Sequence, residues 1–203
     1  MNAYDFDKTI YDGDSTADFY MFCLKKHKSI ILLAPSLLCA FCRFYVFRRD
    51  TKTEFKETMY RFLTKCNAEK DVVEFWEKNC GKIKDFYINQ KKSDDVIISA
   101  SPEFLLAPIC RKLGIKHLIA SKVDSKSGKY IGINCHGKEK VRRFYEEFKD
   151  GEIDEFYSDS LSDTPMAEIS KKAFLVNGNK ITEWRFNNGG GRQNRSRILF
   201  VGG

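Results

Sequence analysis

Residues 3–14, "AYDFDKTIYDGD", place Asp5 and Asp7 two apart behind a short apolar stretch, with Thr9 two further on. Carboxylates spaced this way can divide the work, one attacking while the other moves a proton. Gathered in one place, they repel each other unless a cation intervenes. Polar residues of complementary type recur downstream: Ser99 behind a β-branched run, Lys140 at the opening of a helical pattern, and Asp159 and Asp163 in "YSDSLSDTP". Singly, each has an ordinary use. Ser99 suits a turn or a helix cap, Lys140 a solvated helix face, and Asp159 and Asp163 helix caps. A short acidic pattern also arises often by chance, so the weight rests on four clusters following predicted strands in order.

The elements that must position these residues can be read from hydrophobic periodicity. Residues 3–6 can form a strand, and "DDVIISASP" at 94–102 contains a clearer one, the unbroken run Val96–Ile98 of a buried parallel sheet. A helix in "EFLLAPICRKLG", stopped by Gly114, leads to a strand in "KHLIASKV". A hairpin turn at 125–132, an amphipathic helix at 138–148, a strand at 153–159 and a last strand at 173–177 follow. This alternation predicts an α/β fold, a parallel sheet with helices on both faces. Ligands of such sheets sit beyond the carboxyl ends of the strands, where the four clusters would converge. From roughly Ser15 to Gln90, helix formers and periodic aromatics replace the strand pattern. An insertion at that end of a strand would lie over the site as a cap.

In this order the clusters resemble motifs I to IV of the haloacid dehalogenase superfamily of phosphotransferases, over residues 3 to about 184. The resemblance implies a Rossmann-like parallel sheet core with a helical C1 cap inserted after the first strand. Phosphoryl transfer needs an in-line nucleophile and positive charge around the equatorial oxygens. By resemblance Asp5 is the nucleophile, forming an aspartyl phosphate, and Asp7 protonates the leaving oxygen and later activates water. Dehalogenases of the superfamily lack the second Asp, so its presence implies phosphate chemistry. The implied cofactor is Mg²⁺, a hard ion satisfied by oxygen ligands, held by Asp5, the backbone carbonyl of Asp7 and Asp159. Asp163 would ligate through water or hold Lys140; Ser99 would hydrogen-bond a phosphoryl oxygen, and Lys140 would supply fixed positive charge. Lys138 competes for that role, but "GKEKV" resembles the family's GxxK pattern, which favours Lys140. Thr9 would brace the loop after Asp7. Ser101 either touches phosphate or shapes the turn before Pro102.

The position and size of the helical insertion resemble the phosphoserine phosphatase-like branch, subfamily IB. There a Glu nine residues after the nucleophile helps bind the amino acid; here that position is Asp14, with a shorter side chain. Arg61 would meet a substrate carboxylate as a cap arginine does in that branch, or lie exposed on a helix. "SIILLAPSLLCAFCRFYVF", residues 29–47, is flanked by basic residues and is long enough to invite a transmembrane reading. A single span would put Asp5 and Ser99 on opposite sides of a bilayer, and Pro35 and Arg43 weaken it further. The remaining readings are buried cap helices, the preferred one, or an interfacial segment meeting anionic lipid. With "CHGKEKV" and "YSDSLSDTP", the second resembles phosphatidylglycerophosphatase C, a lipid phosphate phosphatase.

The expected domains are a catalytic core at 1–14 and 91–184, a cap at 15–90, and a tail at 185–203 with the composition of a linker or an appended extension. The expected function is hydrolysis of a small phosphorylated metabolite such as phosphoserine, with a lipid phosphate as alternative. A noncatalytic phosphate-binding or membrane-associated protein is the competing class. The 203 residues, 42% apolar, suffice for one good core, and the first residues do not resemble a signal peptide, which predicts a cytoplasmic setting, peripheral at the membrane if residues 29–47 meet lipid. A net charge of +7 favours anionic partners, but no RNP-like motif, zinc-finger spacing or P-loop is present, so nucleic acid is not an expected partner. Seven scattered cysteines, including the Cys39–Cys42 CxxC, predict reduced, buried thiols. His27, His117 and His136 lack metal-ligand spacing and read as surface or structural. Oligomeric state has no sequence signal.

Overall fold

The computed structural model describes residues 1–49 and 51–186, Lys52 by its backbone alone, and the backbone of Ile198–Leu199. The first strand, β1 (Ala3–Tyr4), is central. It pairs in parallel with β2 (Val96–Pro102) through Ala3↔Val96 and with β4 (Ile153–Ser158) through Ala3↔Phe156. Outside these lie β3 (His117–Ser121) beside β2 and β5 (Ser170–Asn177) beside β4, both parallel to their neighbours. The sheet order is β3-β2-β1-β4-β5, continued by β6 (Lys180–Glu183) and β7 (Ile198–Leu199), each antiparallel to the strand before it. The connections therefore depart from β1 in opposite directions along the sheet, the switch point at which a cleft opens.

The strand at 173–177 is not the last. Asn177-Gly178 is a hairpin signal, and Gly178, with φ 60°, supplies the left-handed backbone that turns the chain into β6. Most of the predicted tail, residues 187–197 and 200–203, lies outside the described residues.

Period-two alternation divides the strands between two cores. Ala3, Val96, Ile98 and Phe156 face one side, where Phe144 and Met166 from α7 (Lys138–Glu147) and α8 (Thr164–Glu168) cover them. Tyr4, Ile97 and Tyr157 face the other, under Leu105 and Ile109 of α6 (Glu103–Leu113). Both faces are covered by helices, as the alternation predicts.

Among the described residues, 15–90 hold helices and no strand: α1 (Ser15–Lys26), α2 (Ala34–Phe41), α3 (Lys52–Tyr60), α4 (Ala68–Asn79) and α5 (Asp85–Gln90), with short 3₁₀ and π turns between. Asp14 starts α1, accepting from the Ala17 amide at 2.9 Å, and Asn67 starts α4 in the same way. Phe19 of α1 meets Phe75 of α4 with ring centroids 5.4 Å apart, Trp76 packs on Phe6, and the Trp76 indole donates to the Leu105 carbonyl at 2.6 Å. One apolar cluster thus runs from these helices onto the sheet.

Two expectations need correction. Residues 29–47 are not buried within the chain: of the apolar stretch Lys28–Val46, only 11% is buried. Ile30 and Ala40 are buried, but among the described residues no other element covers the outer side of α2. Pro35 fits because it falls in the first turn of α2, where no amide hydrogen is needed. The CxxC thiols share that exposure. Cys39 is exposed and Cys42 half-buried, whereas Cys23, Cys110 and Cys135 are core thiols; all seven are free.

Candidate active site

Asp5 directly follows β1. Its amide donates to the Tyr157 carbonyl at 2.9 Å, which extends the ladder one residue and fixes Asp5 at the carboxyl end of the central strand. The chain then turns sharply, with Lys8 at φ 58°, a backbone conformation that L side chains rarely adopt. Lys84 secures this turn from behind, donating to the Lys8 carbonyl at 2.6 Å and to Gly178 at 2.9 Å.

Each acid is held differently. The Lys140 ammonium bridges Asp5 Oδ1 and Asp163 Oδ2, both at 2.7 Å, and Asp163 also accepts from the Ser158 hydroxyl at 2.8 Å. Asp7 accepts from the Ser15 amide at 2.6 Å and from the Ser101 hydroxyl. That amide is one of the free donors at the start of α1, where negative charge is favoured. The Asp159 amide donates to Thr9 Oγ1 at 2.9 Å, tying the end of β4 to the motif loop. Ser99, on β2, accepts from the Ser101 amide at 3.1 Å.

These groups are withdrawn from solvent, and their proton affinities respond. Burial pushes the Asp5 carboxyl up to about 7; Lys140 opposes the shift, while Asp163 and Asp7 add to it. Burial and then Asp14 raise Asp7, against the hydrogen bonds from Ser101 and Ser15. Asp159 is raised by burial, with Lys8 opposing and Asp163 reinforcing. For Lys140, burial works against the charge, but Asp5 and Asp163 outweigh it and hold the ammonium above its ordinary value.

Asp5, Asp7, Asp14, Ser99, Lys140, Asp159 and Asp163 all line one cavity of about 410 Å³. Thr9 is fully buried behind it. Arg61 is not brought in: it opens a 3₁₀ turn, is exposed, and lies outside the cavity lining. That follows from its position one residue beyond the inward-facing Tyr60, which does line the cavity. Lys140 is buried and Lys138 exposed, so α7 presents Lys140 to Asp5. His136, read as surface or structural, lines the cavity as well. Lys8, Lys84 and Thr16 were not singled out from sequence. A lysine in a turn or at a helix start has no local signature of facing a buried acid; only Ser101, between Ser99 and Pro102, offered one.

The donor set suits a hard cation. Asp5 and Asp159 carry proton affinities raised by burial and by Asp163, so a cation between them would relieve both desolvation and repulsion. Both offer oxygen, the donor that a hard ion such as Mg²⁺ takes. Cys23, Cys66 and Asp71, with ligand atoms within 4.8 Å of one another, form a separate group outside this cavity. There Asp71 is already paired with Lys26 at 2.9 Å and His27 at 2.7 Å.

Residues 3–168 match the family described as haloacid dehalogenase-like hydrolase. A Mycobacterium tuberculosis protein named as a probable phosphatase is 37% identical over 91 residues, which cover 41% of this chain and 32% of that protein. The chain therefore spans about a third of the length of that relative. Protein CicA of Caulobacter vibrioides is 30% identical over 186 residues, 83% of this chain and 82% of its own. Among solved structures, a Bordetella pertussis protein of unknown function shares the fold with a TM-score of 0.69 at 20% identity, covering 85% of this chain and 87% of that one.

Proposed function

This chain belongs to the haloacid dehalogenase-like hydrolases, and from that premise we propose that it is a phosphomonoester hydrolase working through a phosphorylated Asp5. The observation that carries the proposal is the different surroundings of two carboxyls just after β1, Asp5 buried and Asp7 half-buried. Asp5 faces the Lys140 ammonium, whereas Asp7 is held by an amide and a hydroxyl. Lys140 opposes the burial that raises Asp5 and so favours the carboxylate that attack requires. Burial and Asp14 raise Asp7 against those two hydrogen bonds and favour its protonated form, as a general acid requires.

In the first step an Asp5 oxygen attacks phosphorus, the ester P–O bond breaks, and Asp7 gives its proton to the departing oxygen. In the second, Asp7 takes a proton from water as that water attacks phosphorus, releasing inorganic phosphate and restoring Asp5. Lys140 balances charge on Asp5 and the transferring group, with Ser99 as hydrogen-bond donor to a phosphoryl oxygen. Bound at Asp5, Asp159 and the Asp7 carbonyl, Mg²⁺ would supply charge neutralisation at the phosphoryl oxygens. The helices of residues 15–90 act as the cap, enclosing substrate during transfer and opening for release.

The leading substrate class is a small phosphorylated metabolite such as phosphoserine, in a cytoplasmic setting. Arg61 lies outside the cavity, so the lining gives no support for it as the group that meets a substrate carboxylate. A lipid phosphate is a second reading, favoured by an apolar wall of Phe44, Tyr45, Phe55 and Met59. Mg²⁺-dependent phosphate release from phosphoserine and phosphatidylglycerophosphate, measured side by side against Asp5→Asn, tests the proposal. Turnover of either that is lost in the variant supports Asp5 as nucleophile; turnover that survives the substitution overturns it.

A further inference from the structure

We propose that the segment from Lys25 to Arg49 is a docking surface for a lipid bilayer carrying anionic headgroups, lying along the membrane surface beside the mouth of the cavity. The inference goes beyond phosphate hydrolysis and does not depend on it.

The segment is apolar on both sides. Its inward residues recur at helical spacing, Ile30, Leu33, Leu37, Ala40 and Phe44, and are buried or half-buried against the rest of the chain. A surface helix normally carries polar residues on the opposite side. Here the outer residues are apolar too: Ile31 is 65% exposed, Leu32 74%, Leu38 65% and Val46 66%. From Ser29 to Cys42 there is no charged residue. An exposed apolar patch of this kind, rimmed by charge, marks a surface that meets another apolar phase.

The rim chooses the phase. Lys25 and Lys28 stand exposed at one end, and Arg48 and Arg49 at the other. The sequence has no Asp or Glu between Asp18 and Asp50, so the patch lies in a purely basic stretch. Apolar side chains flanked by cations match the boundary between acyl chains and anionic headgroups.

Topology excludes a crossing. β1 before the segment and β2 after it pair residue for residue, so both ends of residues 15–90 are on one side of any membrane. Among the described residues only one helical stretch is long and apolar enough to cross, leaving no second span for a return. The stretch is also broken into a 3₁₀ turn, α2 and a π turn. Lying flat satisfies these constraints. It also joins the membrane surface to the cavity, because Phe44 and Tyr45 of the same segment line the cavity wall.

The test is flotation of the full chain with vesicles of phosphatidylcholine alone or mixed with phosphatidylglycerol, at low and high salt, alongside the variant Ile31→Glu/Leu32→Glu/Leu38→Glu. These three positions are exposed and line no part of the cavity, so the variant should keep its cooperative melt and any hydrolysis of a soluble phosphomonoester. The expected result is capture by phosphatidylglycerol vesicles about tenfold or more above neutral vesicles, weakened by salt and lost in the variant. Absence of capture, or capture that a folded variant retains, overturns the proposal. A dimer in solution that the variant dissociates, with no vesicle capture, would assign the patch to a second copy of the chain instead. Catalytic failure is read separately, since flotation needs no turnover.

Discussion

Thr9 and Asp159, 150 residues apart in sequence, are joined by a 2.9 Å hydrogen bond from the Asp159 amide to the Thr9 hydroxyl oxygen. Thr9 is fully buried, so removing its oxygen leaves that amide without its partner. Thr9→Val should cost about 1–3 kcal/mol of stability. If Asp159 helps hold the cation, the variant should also need more Mg²⁺ for half-maximal activity. Denaturant unfolding and an Mg²⁺ titration of phosphate release read the two effects. Unchanged Mg²⁺ dependence would confine Thr9 to a structural role.

Lys140 is 2% exposed and is the ammonium shared by Asp5 and Asp163. Replacing it by Met would leave two buried carboxylates without their counter-charge, a loss on the order of 3–5 kcal/mol. Lowering the pH protonates Asp5, whose carboxyl burial has raised, so the deficit should shrink in acid. Urea unfolding at neutral and acidic pH checks both the size and the trend; a neutral-pH deficit below about 1 kcal/mol would contradict the buried bridge.

Glu139 sits in the first turn of α7, one residue before Lys140. Arg142, with Arg143 assisting and burial opposing, holds its carboxyl down to about 2 from an ordinary 4.5. A depressed acid stabilises the fold above its unfolded value and loses that contribution as pH falls through the folded one. Glu139→Gln should therefore lower the melting temperature at neutral pH, and the gap to wild type should close between about pH 5 and pH 2. Melting curves across that range test the sign; a gap that widens in acid would refute it.

Gly128 lies in the turn between Val123 and Tyr130, with φ 77°, and a Cβ there would stand 2.5 Å from the Tyr60 backbone oxygen. The obstacle is backbone, so it cannot swing aside. Gly128→Ala should destabilise by about 1–3 kcal/mol. Because Tyr60 lines the cavity, it should also raise KM more than it lowers kcat. Steady-state kinetics and thermal melting together check this; wild-type values in both would mean that the turn moves independently of Tyr60.

By resemblance to family motifs the sequence singled out Asp5, Ser99, Lys140, Asp159 and Asp163, and the parallel sheet brings all five to one cavity. The sequence also carried the hairpin signal at Asn177-Gly178, although the strand after it was not read. Other features were settled by contacts between distant segments. The Ser101 hydroxyl reaches Asp7 across 94 residues, and Lys84 reaches under Lys8 across 76. Local composition cannot encode such pairings, since a serine or lysine looks the same whether it meets water or a buried acid. Lys140, favoured over Lys138 by the GxxK pattern, is the buried one of the two, whereas the exclusion of Arg61 depended on which side of its turn faced the cavity. For residues 29–47 the same limit decided the outcome. An apolar run shows that a segment avoids water, but only the placement of the other described helices shows that they leave its outer side uncovered.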